Sequence, residues 1–220
     1  FFHEARDEDV EEAVRCAKED PAGWRQLPVR SRSDILARAA GELRNARGDL
    51  IMLALAEGGK TVAEADPEVS EAVDFVEFYR RSAVTLCEIE SVEAEGLGCV
   101  VVASPWNFPI AIPTGGVSAA LAAGNTVILK PASDTVLTAH RLCQCFWDAG
   151  VPREALQLLP GPGGSVGQQL ATHDDVDTVI LTGGTETARQ ILTENPRVKL
   201  LAETGGKNVT IVTAMADRDL

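Results

Sequence analysis

The sequence has no long apolar run. Its longest, such as 99–103 and 126–129, are far too short to cross a bilayer. The opening Phe1-Phe2-His3-Glu4-Ala5-Arg6 lacks the basic start and apolar stretch of a signal peptide, so a soluble, cytoplasmic protein without membrane insertion is expected. Basic charge is also short. Thirty-three acidic side chains against twenty basic ones leave a net charge of -13, which opposes nucleic acid and anionic lipid as partners. A dinucleotide stays possible, because a few backbone N–H groups and one lysine can neutralise a pyrophosphate locally. Cys16, Cys87, Cys99, Cys143 and Cys145 are odd in number and show no CxxC spacing, so buried, inert thiols are expected in place of a disulfide framework or zinc site. His3, His140 and His173 are too scattered to ligate together, and no metal is expected.

What is present is enough apolar material, 45% of 220 residues, for one sizeable domain or one and a half. The first third is helical in pattern. Asp66-Pro67 reads as a cap followed by proline at the first helical position, and Val69, Ala72, Val73, Val76 and Tyr79 recur on one face, which predicts a helix over 67–82. Residues 31–45 carry Ile35, Leu36, Ala39, Ala40 and Leu43 on one side, and 47–57 form a third helix that Gly58-Gly59 stops.

From Cys99 the period changes. Apolar runs at 99–104, 126–130, 155–159, 178–182, 200–203 and 209–212 alternate with helix-length segments at 114–123, 135–149, 166–172 and 186–195. Continuous apolar strands alternating with helices imply a mostly parallel sheet covered on both faces, a Rossmann-like, doubly wound α/β fold. The expected organisation is a helical segment over 1–83 packed on the α/β unit, a solvent-facing hairpin over 84–98 where Glu88, Glu90, Glu93 and Glu95 alternate with less polar residues, and the α/β unit over 99–220.

In open α/β sheets ligands bind beyond the carboxyl ends of the strands. After the first strand comes Ser104-Pro105-Trp106-Asn107-Phe108-Pro109, a proline-bracketed turn. Its asparagine could donate to a developing oxyanion, or merely satisfy local backbone. The second strand ends in Lys130-Pro131-Ala132-Ser133, where the lysine could reach ribose or phosphate or simply be solvated. Pro160-Gly161-Pro162-Gly163-Gly164-Ser165-Val166-Gly167 is a glycine-rich strand-to-helix link, but Val166 stands where GxGxxG needs its third glycine. Thr182-Gly183-Gly184-Thr185 opens a helix whose free N–H groups could take an anion, or which Thr185 simply caps. Glu203-Thr204-Gly205-Gly206-Lys207 places a carboxylate at an apolar strand end, where desolvation would suit a general base, although such a group can also be structural.

In this order, over residues 32–212, the pieces resemble the aldehyde dehydrogenase superfamily. Segment 71–79, Lys130-Pro131-Ala132-Ser133 and 202–208 are most similar to glutamate-semialdehyde (1-pyrroline-5-carboxylate) dehydrogenases, including the dehydrogenase half of bifunctional proline-utilisation proteins. The resemblance implies oxidation of an aldehyde with NAD, NADP being possible, with Asn107 as oxyanion donor and Glu203 as general base. It implies a cofactor cradle of Ser104, Pro105, Trp106, Lys130, Ser133, Gly163, Gly167, Thr182, Gly183, Gly184 and Thr204. It further implies a cysteine nucleophile, expected a few tens of residues beyond Glu203 and so past Leu220, a homo-oligomer at full length, and a possible proline dehydrogenase domain in the same polypeptide.

Three positions depart from the family pattern. Gly184 replaces a hydroxyl residue of the phosphate turn, Ala188 replaces a frequent glycine, and Ser133 stands where many NAD-dependent members carry glutamate. The segment before Cys99 is also shorter than the family's oligomerisation hairpin. Two alternatives stand beside the leading reading: a dehydrogenase of another aldehyde, and a non-catalytic cofactor-binding or assembly module.

Overall fold

The computed structural model describes residues 2–206, 209 and 211–216. Five parallel strands, β1 (Cys99–Ala103), β2 (Thr126–Lys130), β3 (Leu156–Leu158), β4 (Thr178–Gly183) and β5 (Lys199–Thr204), lie in the order β3-β2-β1-β4-β5. The crossovers α5 (Ala111–Ala122) and α6 (Val136–Asp148) carry the chain outward from β1 through β2 to β3. It then returns across the sheet through α7 (Gln168–Thr172) to β4, and α8 (Thr185–Glu194) leads on to β5. The direction of winding therefore reverses between β1 and β4, which are directly paired.

Because alternate strand residues point to opposite faces, the sheet separates two cores. Val100, Val102, Val127 and Leu129 pack on one face with Leu36, Leu43, Val69, Val76, Leu121 and Phe146. That core receives α2 (Val29–Asn45), α3 (Arg47–Gly58), α4 (Val62–Cys87), α5 and α6. Val101, Ile128, Val179 and Leu181 face the other way, against Leu170, Ala171 and Ile191 of α7 and α8. α1 (Asp7–Glu19) closes this second face with Val10, Ala13, Val14 and Ala17, at the spacing of one helical stripe. The N-terminal helices thus divide between the two faces. Trp24, fully buried, donates its indole N–H to the Leu121 carbonyl at 3.1 Å and stitches the crossing between them.

The all-parallel sheet and its flanking helices agree with the α/β reading, and three local expectations change. α4 begins at Val62, not Pro67. A capping box sets that start: the Glu64 carboxylate accepts from Thr61 N–H at 2.9 Å and Thr61 Oγ1 at 2.8 Å. Pro67 is then inside the helix, one turn in, where it forfeits a backbone donor. No hairpin forms over 84–98: α4 continues to Cys87 and the remainder has no strand. Its end is instead tied by side chains, the Asn125 amide oxygen accepting from Gly98 N–H at 2.9 Å and the Asp177 carboxylate from Cys99 N–H at 2.8 Å.

The expected strand over 209–212 is the third change. Val209, Ile211 and Val212 are exposed and belong to no strand, while Thr210 lies outside the described residues, as do Lys207 and Asn208 of the preceding motif. A strand needs a neighbour, and no strand among the described residues pairs with the outer edge of β5.

Candidate functional site

Reversal of winding leaves a crevice beyond the β1 and β4 carboxyl ends. A cavity of about 330 Å³ opens there. Val101, Ala103, Val179 and Leu181 form its apolar floor, the glycine-rich link and α7 one wall, and α8 the other. Ser104, Lys130, Gly163, Gly167 and Thr182, five of the residues singled out in the sequence, meet around it.

The glycine-rich link is built for close approach. Residues 163–167 form a π-helical turn in which Gly167 N–H donates to the Pro162 carbonyl at 3.1 Å. Gly163 and Gly164 face open space, so backbone is presented to the cavity without side-chain cover. Gly161 has the opposite reason to be glycine: a Cβ there would stand 2.4 Å from the Val166 side chain, which fills the fold of the loop. Lys130 is nearly buried and lines the cavity, and burial alone holds its pKa below the ordinary lysine value. A lysine with no carboxylate partner among the described residues, beside bare backbone and an apolar slot, fits the anionic and apolar parts of a dinucleotide.

Gln168, Gln190 and Glu194 also line this cavity, and the sequence reading did not name them. The Glu194 carboxylate accepts from Gln168 Nε2 at 3.0 Å and from Gln190 Nε2 at 3.0 Å, bridging the two walls. The Gln190–Glu194 spacing of four was visible in the sequence; the bridge to Gln168 is tertiary.

The other named residues lie apart from the cavity lining. Trp106, Asn107 and Phe108 project from the turn after β1 and, with Gly58, Gly59, Lys60, Glu64 and Pro67, line a second, open hollow. Pro105 is half-buried between the two groups, and Ser133 is exposed beyond β2. Gly183 and Gly184 end β4 and begin α8, both exposed. Thr204 Oγ1 and Thr185 Oγ1 are 3.2 Å apart, so the last residue of β5 is tied to the first turn of α8. Glu203 pairs in register with Thr182 and is exposed, so the desolvation expected for it is not supplied by the described residues. The described residues contain no cluster of potential metal ligands and no helix long and apolar enough to cross a membrane.

Such a sheet, with a glycine-lined cleft at its point of reversal and a proline-bracketed Trp-Asn-Phe turn beside it, is a doubly wound α/β domain of the class that includes nucleotide-binding dehydrogenase folds. The chain belongs to the aldehyde dehydrogenase family, whose model matches residues 2–220. Among its relatives, the bifunctional protein PutA of Salmonella typhimurium is 42% identical over 221 residues, which is 97% of this chain and 17% of that protein. The 1-pyrroline-5-carboxylate dehydrogenase of Staphylococcus epidermidis is 33% identical, covering 98% of this chain and 46% of that enzyme. A crystal structure of 1-pyrroline-5-carboxylate dehydrogenase from Thermus with bound NAD superposes with a TM-score of 0.86 at 34% identity, over 93% of this chain and 43% of the other. The chain therefore spans about a sixth of PutA and just under half of the single-function enzymes.

Proposed function

We propose that the protein of which this chain is the cofactor-binding part oxidises L-glutamate γ-semialdehyde, the open form of 1-pyrroline-5-carboxylate, to glutamate with NAD during proline breakdown in the cytoplasm. The observation that carries the reading is the cleft itself: Ser104, Lys130, Gly163, Gly167 and Thr182 gather round one cavity where the winding reverses. The relatives named above support the substrate, and the NAD in the Thermus enzyme supports the cofactor. The relation to PutA supports a proline dehydrogenase domain in the same polypeptide, and homo-oligomerisation of the whole protein belongs to the same reading.

When bound, the nicotinamide accepts the hydride that leaves the substrate carbon. The chain's own residues bind and polarise. Lys130 and the bare amides of the glycine link hold the dinucleotide's polar parts, with Pro105, Trp106, Ser133, Gly183, Gly184 and Thr204 lining its approach. The Asn107 amide donates to the oxygen that gains charge when a thiolate adds to the aldehyde carbon. Glu203 takes a proton from the water that cleaves the resulting thioester, which frees the thiolate; the aldehyde and water become a carboxylate and two protons, the remaining hydrogen leaving with its electron pair as the hydride.

None of the five cysteines lines the dinucleotide cavity or the hollow around Asn107. Cys99, Cys143 and Cys145 are buried, and desolvation pushes Cys99 up to about 12 and Cys145 to about 11. Cys16 is raised as well, and Cys87 is exposed at the end of α4. The proposed mechanism expects its nucleophile among residues outside these 220. The test is NADH production by the full-length protein with 1-pyrroline-5-carboxylate, set against a simple aliphatic aldehyde. Preference for the former by at least about tenfold in kcat/KM is expected, and equal use of both overturns the substrate assignment.

A further inference from the structure

Around the Trp106-Asn107-Phe108 turn, the backbone that follows the proposed oxyanion donor is tied to a charged pair from another part of the chain. Lys60 follows Gly59, whose φ of +64° ends α3 in the left-handed conformation. Its ammonium donates to the Asn107 carbonyl at 2.8 Å and lies 4.1 Å from the centre of the Phe108 ring. The same ammonium is 2.7 Å from Glu68 Oε2 of α4. The other Glu68 oxygen accepts from Ile110 N–H at 2.7 Å and Ala111 N–H at 3.0 Å, the residues that open α5. Glu68 Oε2 makes no hydrogen bond of good geometry, so Lys60 is its partner through charge.

The pair is costly where it stands. The Glu68 side chain is 1% exposed and that of Lys60 10%, so both charges have given up most of their hydration. A helix start can be capped far more cheaply by a serine or aspartate. What the pair achieves beyond a cap is to hold residues 107, 108, 110 and 111 from one fixed point. An amide donor must sit within a few tenths of an ångström of a developing charge to stabilise it, and an exposed turn does not ensure that by itself.

We propose that Lys60, seated by Glu68, is the positioning residue for Asn107: it fixes the backbone of the oxyanion donor and through it the rate of the chemical step. The inference rests on the oxyanion role assigned to Asn107 above. It predicts a loss in kcat without a loss in cofactor affinity, since neither residue lines the dinucleotide cavity.

The experiment is a double-mutant cycle in the full-length enzyme. Lys60→Met paired with Glu68→Gln removes both charges together, so no orphan charge is left to unfold the protein, and the side-chain amide oxygen, in the place of Glu68 Oε1, still accepts from Ile110 and Ala111 N–H. This pair is expected to lower kcat about 10- to 100-fold with the Kd for NAD unchanged. Asn107→Ala alone is expected to lower it by two to three orders of magnitude, about the loss of one oxyanion donor. In the Asn107→Ala background the charge-pair substitution should cost less than about threefold, because the group it positions is gone. Lys60→Arg, which keeps a cationic donor, should restore most of the activity. A cost that stays additive in the Asn107→Ala background, or falls equally on NAD affinity and melting temperature, would mean a structural role only and would overturn the inference while leaving Asn107 in place. If Asn107→Ala leaves kcat intact, the oxyanion reading falls and the inference with it.

Discussion

Thr182 and Glu203 are direct partners across the β4–β5 pair, held in parallel register at the carboxyl end of the sheet. One belongs to the cavity rim and the other is the proposed general base, so a single ladder of backbone hydrogen bonds fixes the height of Glu203 relative to the cavity.

The consequence is kinetic. Glu203→Gln in the full-length enzyme should leave the first turnover fast and slow the release of acid, giving a burst of NADH followed by a steady rate lower by about two orders of magnitude. Stopped-flow absorbance reads both phases. A slow first turnover with no burst would move Glu203 out of the hydrolytic step.

Lys130 carries a pH dependence whose sign can be worked out. Burial holds its pKa in the free site below the ordinary value of 10.5. An anion bound beside it favours the charged form, so its pKa rises on binding and a proton is taken up. Affinity is then fully present below the free-site pKa and is lost as pH rises through it toward the higher bound value. Calorimetric titration of the full-length enzyme with NAD at increasing alkaline pH is expected to show that fall, and Lys130→Met should abolish the dependence while weakening binding throughout. A Kd independent of pH in the wild type would separate Lys130 from the anion.

The proposed site makes cofactor choice depend on an exposed position. Ser133 offers neither a carboxylate for the ribose hydroxyls nor repulsion to a 2′-phosphate. Ser133→Glu is expected to weaken NADP by about tenfold or more and to leave NAD equal or tighter, roughly 1.4 kcal/mol of discrimination. Parallel NAD and NADP titrations measure it, and equal change in both Kd values would place residue 133 away from the ribose.

Gly161 tests the loop. With a Cβ at 2.4 Å from a β-branched side chain that has little χ1 freedom, Gly161→Ala should destabilise by about 1–3 kcal/mol and loosen NAD binding. Thermal melting checks the first and calorimetry the second. Adding Val166→Ala should return part of the stability, since it removes the clash at the cost of a small cavity.

Much of this was legible in the sequence because it is local. The Val-Ile-Leu runs at 126–130 and 178–182 gave strands within a residue of their true bounds, since a strand buried on both faces leaves a continuous apolar signature. Pro67 misled because proline marks helix starts only on average, while the Thr61–Glu64 box six residues earlier already supplied the cap. The run at 209–212 has strand composition, yet Val209, Ile211 and Val212 pair with no strand among the described residues, and composition alone does not supply a pairing neighbour. Of the site, the residues at strand ends could be named from position alone. The Lys60–Glu68 pair and the Gln168–Glu194 bridge could not, because each joins segments whose approach is decided only by how the helices pack.

The reversal of winding at β1 also shapes how the chain must fold. Gly98 and Asn125, at the β1–β2 boundary, are 27 residues apart in sequence, whereas Cys99 and Asp177, which join β1 to the start of β4, are 78 apart. Closing the longer loop costs more chain entropy and cannot be rewarded until both partners are nearly in place. The β1–β4 seam, the floor of the proposed cofactor cleft, is therefore expected to form after the β1–β2 pair. A dinucleotide bound there would brace a junction expected to form after the β1–β2 pair, and its effect should appear as a slower unfolding rate with the folding rate little changed.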